Sequence, residues 1–244
     1  VFEPFTSLSA LAALTGRVRL GHIVICTGFR NPALTAKMIS MLDTISHGRA
    51  ELGIGAGWKQ EEWEAYGYDF PSLKVRLATL GEHLEIITRM LEGGDTDRAT
   101  WSGEHARVAG AINRPKPLQQ PRVPVMVGGN GPNVTWRLAA RLADEINLDG
   151  MEPAEVAAAL PVIASRCEEI GRDPASLKVS VHTWHASPGV SDPGQQRVDL
   201  YGAYAELGVS RVQSYCRGFE DGPEALEAFA ADVRAAGAEL ERPA

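Results

Sequence analysis

Segments that read as strand alternate with segments that read as helix along the whole chain, and no other feature narrows the fold as much. Parallel strands cannot be joined by a tight hairpin. They need a crossover that is usually helical, so regular alternation specifies a parallel sheet wrapped by helices. The strand-like runs are 18–26, 50–55, 124–127, 145–148, 178–185 and 211–216. The first helical run, 7–14, opens on Ser7 as a cap and stops at Gly16. The second starts with Pro32 at N1, keeps Leu34, Met38, Met41, Leu42 and Ile45 at helical spacing, and ends at Gly48. The longest, 73–91, carries Leu77, Leu80, Leu84, Ile87 and Leu91 on one face and is stopped by Gly93 and Gly94. Runs 132–143, 153–170 with Pro161 as a kink candidate, 195–207 and 223–236 complete the helices.

A chain of 244 residues fits a single α/β barrel domain, 1–244. Six strand-like runs are two short of a closed eight-stranded barrel, and no Gly-x-Gly-x-x-Gly opens a dinucleotide-binding βαβ unit. The stretch from about 93 to 123, with Trp101 and a Pro-rich run at 114–121, is longer than an ordinary connection. It is expected to be a lid-like insertion without regular structure.

Two glycine-rich strand ends stand out. In Glu51–Trp58 three glycines sit at the carboxyl end of a strand, where barrel enzymes keep their active sites. They either admit a ligand to the backbone or relieve crowding inside the barrel. In Val125–Pro132 a Gly-Gly-Asn-Gly run leads from strand to helix. Its backbone N–H groups suit a phosphate, although the same run serves as a tight turn.

The net charge of −7, with no basic cluster, argues against a nucleic-acid partner. No apolar run approaches the roughly 20 residues a membrane span needs. Cys26, Cys167 and Cys216 lack metal or disulfide spacing, so no metal site and a reducing, cytoplasmic setting are expected. The sequence begins at Val1 with no signal-peptide pattern and reads as a fragment or trimmed product.

His22, His182 and His185 lie on or near strands and are candidates for acid–base or substrate contact, His185 the best placed. A strand histidine is more often structural. Tyr215 and Arg217 end the last strand and suit an anionic group, although a solvated Arg fits equally well. His47 and Arg49 enter the amino end of a strand and read as structural. Glu61, Glu62 and Glu64 beside Trp58 and Trp63 read as a solvated loop, and Trp101 and Trp136 as packing residues. No Gly-x-Ser-x-Gly elbow supports hydrolase chemistry.

Six stretches, in order, resemble motifs of the luciferase-like flavin and deazaflavin oxidoreductases: Phe2–Thr6 with 8–13, Arg19-Leu-Gly21, Arg30-Asn-Pro-Ala33, Leu42-Asp43 with Ser46–Arg49, Glu51–Trp58 with Glu61-Glu62, and 124–131 with Ala143-Asp144 and Asn147. The segment Cys167–Pro174 is similar to the actinobacterial branch that uses coenzyme F-420, an 8-hydroxy-5-deazaflavin. The resemblance implies a (β/α)8 TIM-barrel fold lacking, in this chain, the first two strands and first helix. The family's usual catalytic histidine would lie in that absent part, so no catalytic residue is named. It implies a cofactor held by Ile23, Val24, Ala56, Gly57, Gly128, Gly129, Asn130 and Gly131, with a cis bond or bulge at Ile23–Val24. Trp58, His185 and Arg217 become substrate-side candidates. Trp58 stands where some sugar-phosphate-oxidising members place an acid–base residue, which disfavours that activity, since an indole donates a hydrogen bond but does not shuttle protons. The implied protein is a homodimer that exchanges a hydride between coenzyme F-420 and a small organic substrate. The alternatives are an FMN-dependent monooxygenase of the same family and a non-catalytic flavin-binding barrel.

Overall fold

The computed structural model describes residues 2–184 and 194–238, in two compact units that meet in sequence between Gly128 and Gly129. Unit 1 contains α1 (Pro4–Leu14), β1 (Ile25–Cys26), α2 (Pro32–Ile45), β2 (Leu52–Gly55), α3 (Gln60–Ala65), α4 (Leu73–Leu91), β3 (Ala99–Ser102), β4 (Arg107–Ala111) and β5 (Val125–Gly128). Unit 2 contains α5 (Thr135–Leu142), β6 (Glu145–Asp149), α6 (Pro153–Glu168), β7 (Lys178–His182), α7 (Gln195–Glu206), β8 (Arg211–Gln213) and α8 (Pro223–Ala235).

The expected parallel pairing is present in both units: β1 with β2 and β2 with β5 in unit 1, β6 with β7 and β7 with β8 in unit 2. Strands β2, β5 and β6 are buried almost throughout, as parallel strands covered on both faces must be. Leu52, Ile54, Val125 and Val127 of the sheet and Ile39, Leu80, Leu84 and Ile87 of the helices are buried in unit 1, and Ile146, Leu148, Val156, Ile163 and Val181 in unit 2. No helix among the described residues is long and apolar enough to cross a membrane.

The run expected as strand 18–26 is regular only at Ile25–Cys26. Leu20 bridges Ala50 and Ile25 pairs with Ile54, so five steps on one strand face four on the other. That one-residue excess is a bulge, and it contains the Ile23–Val24 peptide, which is cis. Gly53 makes the bulge possible: a Cβ there would lie 1.8 Å from the His22 carbonyl oxygen.

Other boundaries differ for local reasons. Helix α1 starts at Pro4 rather than Ser7, because Glu3 caps it through the Thr6 N–H (2.7 Å) and proline suits N1. The strand expected over 178–185 ends at His182, and His185 lies outside the described residues. The strand expected to reach 216 ends at Gln213. Pro161 sits inside an unbroken α6.

The α2 face also differs from its apolar pattern. Leu34, Met41 and Ile45 are exposed, while Thr35, Ala36, Ile39, Ser40, Leu42 and Asp43 are buried. The buried polar members are all spoken for. Ser40 Oγ accepts from Asn113 Nδ2 (2.7 Å), and the Asp43 carboxylate accepts from the Leu118 N–H (2.7 Å), the Gln119 N–H (3.1 Å) and Gln119 Nε2 (2.7 Å). These bonds fasten the Pro-rich run to α2.

The stretch 93–123 is therefore more ordered than its composition suggests. Strands β3 and β4 form an antiparallel hairpin with a register shift near Trp101. Its tip docks on α4, where the Glu82 carboxylate accepts from the N–H groups of Glu104 (2.9 Å), His105 (2.8 Å) and Ala106 (2.7 Å). Partial burial pushes the Glu82 carboxyl up, but these amides outweigh it and hold the group below the usual carboxylate range.

Candidate functional site

In unit 1 the carboxyl ends of β1, β2 and β5 carry Cys26, Gly55 and Gly128. The Val24 side chain leans on both glycines: a Cβ on Gly55 or Gly128 would come within 2.9 or 3.0 Å of it. With Gly53 under His22, these glycines serve the close passage of the bulge, which is the crowding role left open by the sequence. The Ile23 side chain, on the other residue of the cis bond, is half exposed.

Gly57 turns the chain with φ of 77°, a conformation a side chain rarely adopts. A Cβ there would also strike Cys26 Sγ at 2.4 Å and the Trp63 ring at about 3.0 Å. The Gly57 carbonyl accepts from Arg76 Nε at 3.1 Å, and Arg76 Nη1 donates to the Pro71 carbonyl at 2.5 Å. The guanidinium lies 4.0 Å from the Phe70 ring centroid. Trp63 packs edge-on to Tyr68 and Phe70 and tilted on Phe29. Arg76 and Trp63 thus brace the loop from which Trp58, 70% exposed, projects. Ala56 is half-buried, and Glu61 and Glu64 face water.

Two unit 1 histidines are held neutral. Burial, reinforced by Arg30, brings His22 down to about 4, and neither of its ring nitrogens has a hydrogen-bond partner. Its ring lies 4.6 Å from that of Phe5. Burial likewise brings His83 down to about 4, with Nδ1 2.8 Å from Thr27 Oγ1. A groove of about 720 Å³, lined by residues including Phe29, Arg30, His83 and His105, contains none of the expected site residues.

Unit 2 begins with the second glycine run. Gly129 has φ of 134°, and a Cβ on Gly131 would come within 2.9 Å of Thr135 Oγ1. The sequence suggested free amides throughout this turn, but the Gly129 N–H donates to the Asn147 carbonyl (3.0 Å). Helix α5 starts at Thr135, not residue 132, and its first turn has no side-chain cap. Trp136, read as packing, does more: its buried indole N–H donates to the Gly129 carbonyl at 3.1 Å.

The Asn130 side chain is committed to the backbone of the next strand. Its Nδ2 donates to the Asp149 carbonyl and its Oδ1 accepts the Asp149 N–H, both at 2.8 Å. Asp149 and His182, register partners at the ends of β6 and β7, have Oδ1 and Nδ1 3.4 Å apart. The His182 ring lies 5.1 Å from Trp184 and 5.9 Å from Tyr215. Arg217 is exposed in the turn after β8. Sequence reasoning missed Arg76, Trp136 and Asp149. Asp149 lies one residue past the expected strand 145–148, and an Asp before a Gly leaves no signal that sets it apart from a turn residue. No cluster of three or more His, Cys, Asp or Glu placed to hold a metal occurs among the described residues.

A 5,10-methylenetetrahydromethanopterin reductase of Methanolobus tindarius is 30% identical over 180 residues, 74% of this chain and 52% of that protein. An uncharacterised Mycobacterium tuberculosis protein is 34% identical over 142 residues, 58% of this chain and 48% of its own length. The chain thus spans about half the length of the curated relatives it matches. Among solved structures, the coenzyme F-420 dependent tetrahydromethanopterin reductase of Methanopyrus kandleri has a TM-score of 0.67 at 22% identity, covering 98% of this chain and 72% of that one. An F-420-dependent secondary alcohol dehydrogenase with a bound F-420–acetone adduct has a TM-score of 0.69 at 20% identity, covering 99% and 71%. At that identity the likeness establishes a shared α/β fold. The family profile described as luciferase-like monooxygenase matches residues 1–243, and the chain belongs to that family.

Proposed function

We propose that this protein is an oxidoreductase that binds coenzyme F-420 and exchanges a hydride between it and a small organic substrate. The observation that carries the reading is the Gly129–Gly131 turn ahead of the uncapped start of α5. Helix N-termini favour anions, because their first N–H groups lack intrahelical partners and the helix dipole is positive there; in α5 the Trp136 N–H is already taken by the Gly131 carbonyl (3.1 Å), so the amides offered to a phosphate are those of the turn around it. Glycine at 131 keeps a Cβ away from Thr135, and the Trp136 indole fixes the Gly129 carbonyl. The turn is thereby preorganised with room for a phosphate to approach the backbone. These residues fit the phosphate group that a flavin or deazaflavin coenzyme carries.

Support for coenzyme F-420 over FMN comes from relatives named for the former: the Methanopyrus kandleri reductase and the secondary alcohol dehydrogenase. The same likeness extends to a riboflavin lyase with modified FMN, at a TM-score of 0.66, so FMN is the second reading. When bound, the deazaflavin supplies hydride chemistry at its ring. The protein's part is to hold and orient. In unit 1, Ile23, Val24, Ala56 and Gly57 are the ring-side residues the family resemblance implies. Trp58 and Arg217 remain substrate-side proposals, as does His185 outside the described residues.

The test is fluorescence titration of the purified protein with coenzyme F-420 and, separately, FMN. Saturable binding of F-420, tighter than FMN, is expected. Gly131→Val should weaken it by about tenfold or more, the loss of one or two phosphate contacts. Binding of neither cofactor would overturn the reading. Tighter binding of FMN would replace it with the second.

A further inference from the structure

The geometry points to Asp149, His182, Trp184 and Tyr215 as a recognition patch for a substrate hydroxyl carried on a flat, unsaturated ring. This deepens the oxidoreductase reading and rests on it only for the word substrate. All four residues belong to unit 2, at or just beyond the carboxyl ends of β6, β7 and β8.

The patch is built rather than incidental. Asn130 fixes the Asp149 backbone through both its N–H and its carbonyl, which sets where the carboxylate can reach. The Gly150 N–H donates to the His182 carbonyl at 2.8 Å, locking the two strand ends together. Gly150 has φ of 65°, and a Cβ there would meet Trp184 Cδ1 at 2.8 Å, so the indole lies directly against that turn. His182 is thus fixed through its backbone, faces a carboxylate on one side, and stands in tilted contact with two aromatic rings.

The Asp149–His182 pair determines what the imidazole can offer. A carboxylate only accepts, so the nitrogen facing it, Nδ1, carries the proton. In the neutral ring Nε2 is then an acceptor. Its hydrogen-bond complement is an O–H, not a carbonyl. Trp184 is 39% exposed and Tyr215 46% exposed, and such flanking rings favour a flat, unsaturated partner by stacking or edge contact. The two requirements together describe a phenol-like or enol-like substrate.

The test uses phenol, toluene and benzaldehyde as probes on the 244-residue protein, read by chemical-shift changes of the histidine ring protons. The His182 signal is assigned by its loss in His182→Gln. Phenol should bind roughly five- to tenfold more tightly than toluene or benzaldehyde, the worth of one hydrogen bond. In His182→Phe that preference should disappear while toluene still binds. In Asp149→Asn the side chain can either accept from Nδ1 or donate to it, so both ring tautomers become available and the preference for phenol over benzaldehyde should shrink. A purely structural pair would leave probe preference unchanged in both variants, and that result overturns the proposal, as does a wild-type preference for benzaldehyde. Coenzyme F-420 titration of the same samples separates the two readings. Loss of cofactor binding with phenol preference intact would sink the function and leave the patch, and the reverse would sink the patch alone.

Discussion

Arg49 shows how one side chain holds an element in place. Its Nε donates to the Ser46 carbonyl (2.7 Å), Nη1 to the Val18 carbonyl (2.6 Å) and Thr15 Oγ1 (3.1 Å), and Nη2 to the carbonyls of Ala12 (3.0 Å) and Thr15 (2.8 Å). The C-terminal end of α1 has carbonyls that lack helical partners, and a cation there also meets the negative end of the dipole. Arg49→Met keeps much of the stem's packing while leaving the buried Ala12 carbonyl and the part-buried carbonyls of Thr15 and Val18 without this donor. It is expected to cost about 3 kcal/mol, measured as a lower urea midpoint, with amide exchange in 4–14 accelerated beyond the rest of unit 1. Arg49→Lys should recover less than half, because an ammonium cannot present the guanidinium's fork. A similar argument applies to Gly129, whose φ of 134° disfavours any side chain. Gly129→Val should weaken coenzyme F-420 binding while leaving the thermal midpoint within a few degrees, read by the same titration and a melting curve. The structural role of Arg49 was legible, since it sits between a helix stop and the amino end of a strand. The Trp136 indole was not, because apolar burial and donation to one carbonyl leave the same trace in sequence.

Elements were legible in proportion to how locally they are specified. Helix α4 has the expected bounds because nineteen residues of periodic apolar pattern lie between the Ser72 cap and the stop at Gly93. Ser72 Oγ accepts the Val75 N–H at 3.4 Å. The hairpin of β3 and β4 escaped notice because its stability is not local. Its tip hangs on Glu82, twenty-odd residues away, and the Pro-rich run that follows hangs on Asp43, about seventy-five residues away. The polar face of α2 was hidden for the same reason: Ser40 and Asp43 are buried only because Asn113 and Gln119 come back to meet them. Strand 18–26 was legible as a strand, and its irregularity at Ile23–Val24 through the family resemblance alone, because the bulge depends on Gly53 of the neighbouring strand. Glu82→Ala removes the acceptor for three tip amides at once. Exchange of the amides of 104–106 should accelerate by tenfold or more, the loss of roughly one hydrogen bond each, whereas amides of α4 remain protected. Equal protection in wild type and variant would show that the tip is held by something other than Glu82.

At the scale of the whole molecule, the buried neutral histidines of unit 1 set how stability depends on pH. His22 and His83 both fall to about 4 from 6.5, chiefly through burial. Between those values the unfolded chain binds a proton that the folded chain refuses, so unfolding is favoured by acid. Each therefore contributes stability that is fully present above about pH 6.5 and is lost as pH falls through about 4. The shift corresponds to an upper bound on the order of 3 kcal/mol for each. Glu3 acts in a lower window, because its capping bonds to Thr6 and its pairing with Arg30 outweigh partial desolvation and hold its carboxyl at about 2. Its contribution is present above about 4.5 and lost as pH falls through about 2. The two windows meet only near pH 4 to 4.5, so a loss between pH 6.5 and 5 belongs to the histidines and not to this acid. Urea unfolding followed at pH 7.5, 6.5, 5.5 and 4.5 should show a flat first step and then a steady decline. His22→Leu should remove about half of that decline, since it replaces a ring that has no hydrogen-bond partner with an apolar side chain beside Phe5. It should also raise stability at pH 5 relative to wild type, an outcome opposite to that of most core substitutions. Thr27→Val separates the second histidine. Losing the 2.8 Å contact to Nδ1 removes a hydrogen bond from His83 and with it an influence that opposes the effect of burial, so this variant should be less stable at every pH and should carry the His83 loss to lower pH. A wild-type profile that stays level down to pH 5 would mean that neither ring is kept from its proton.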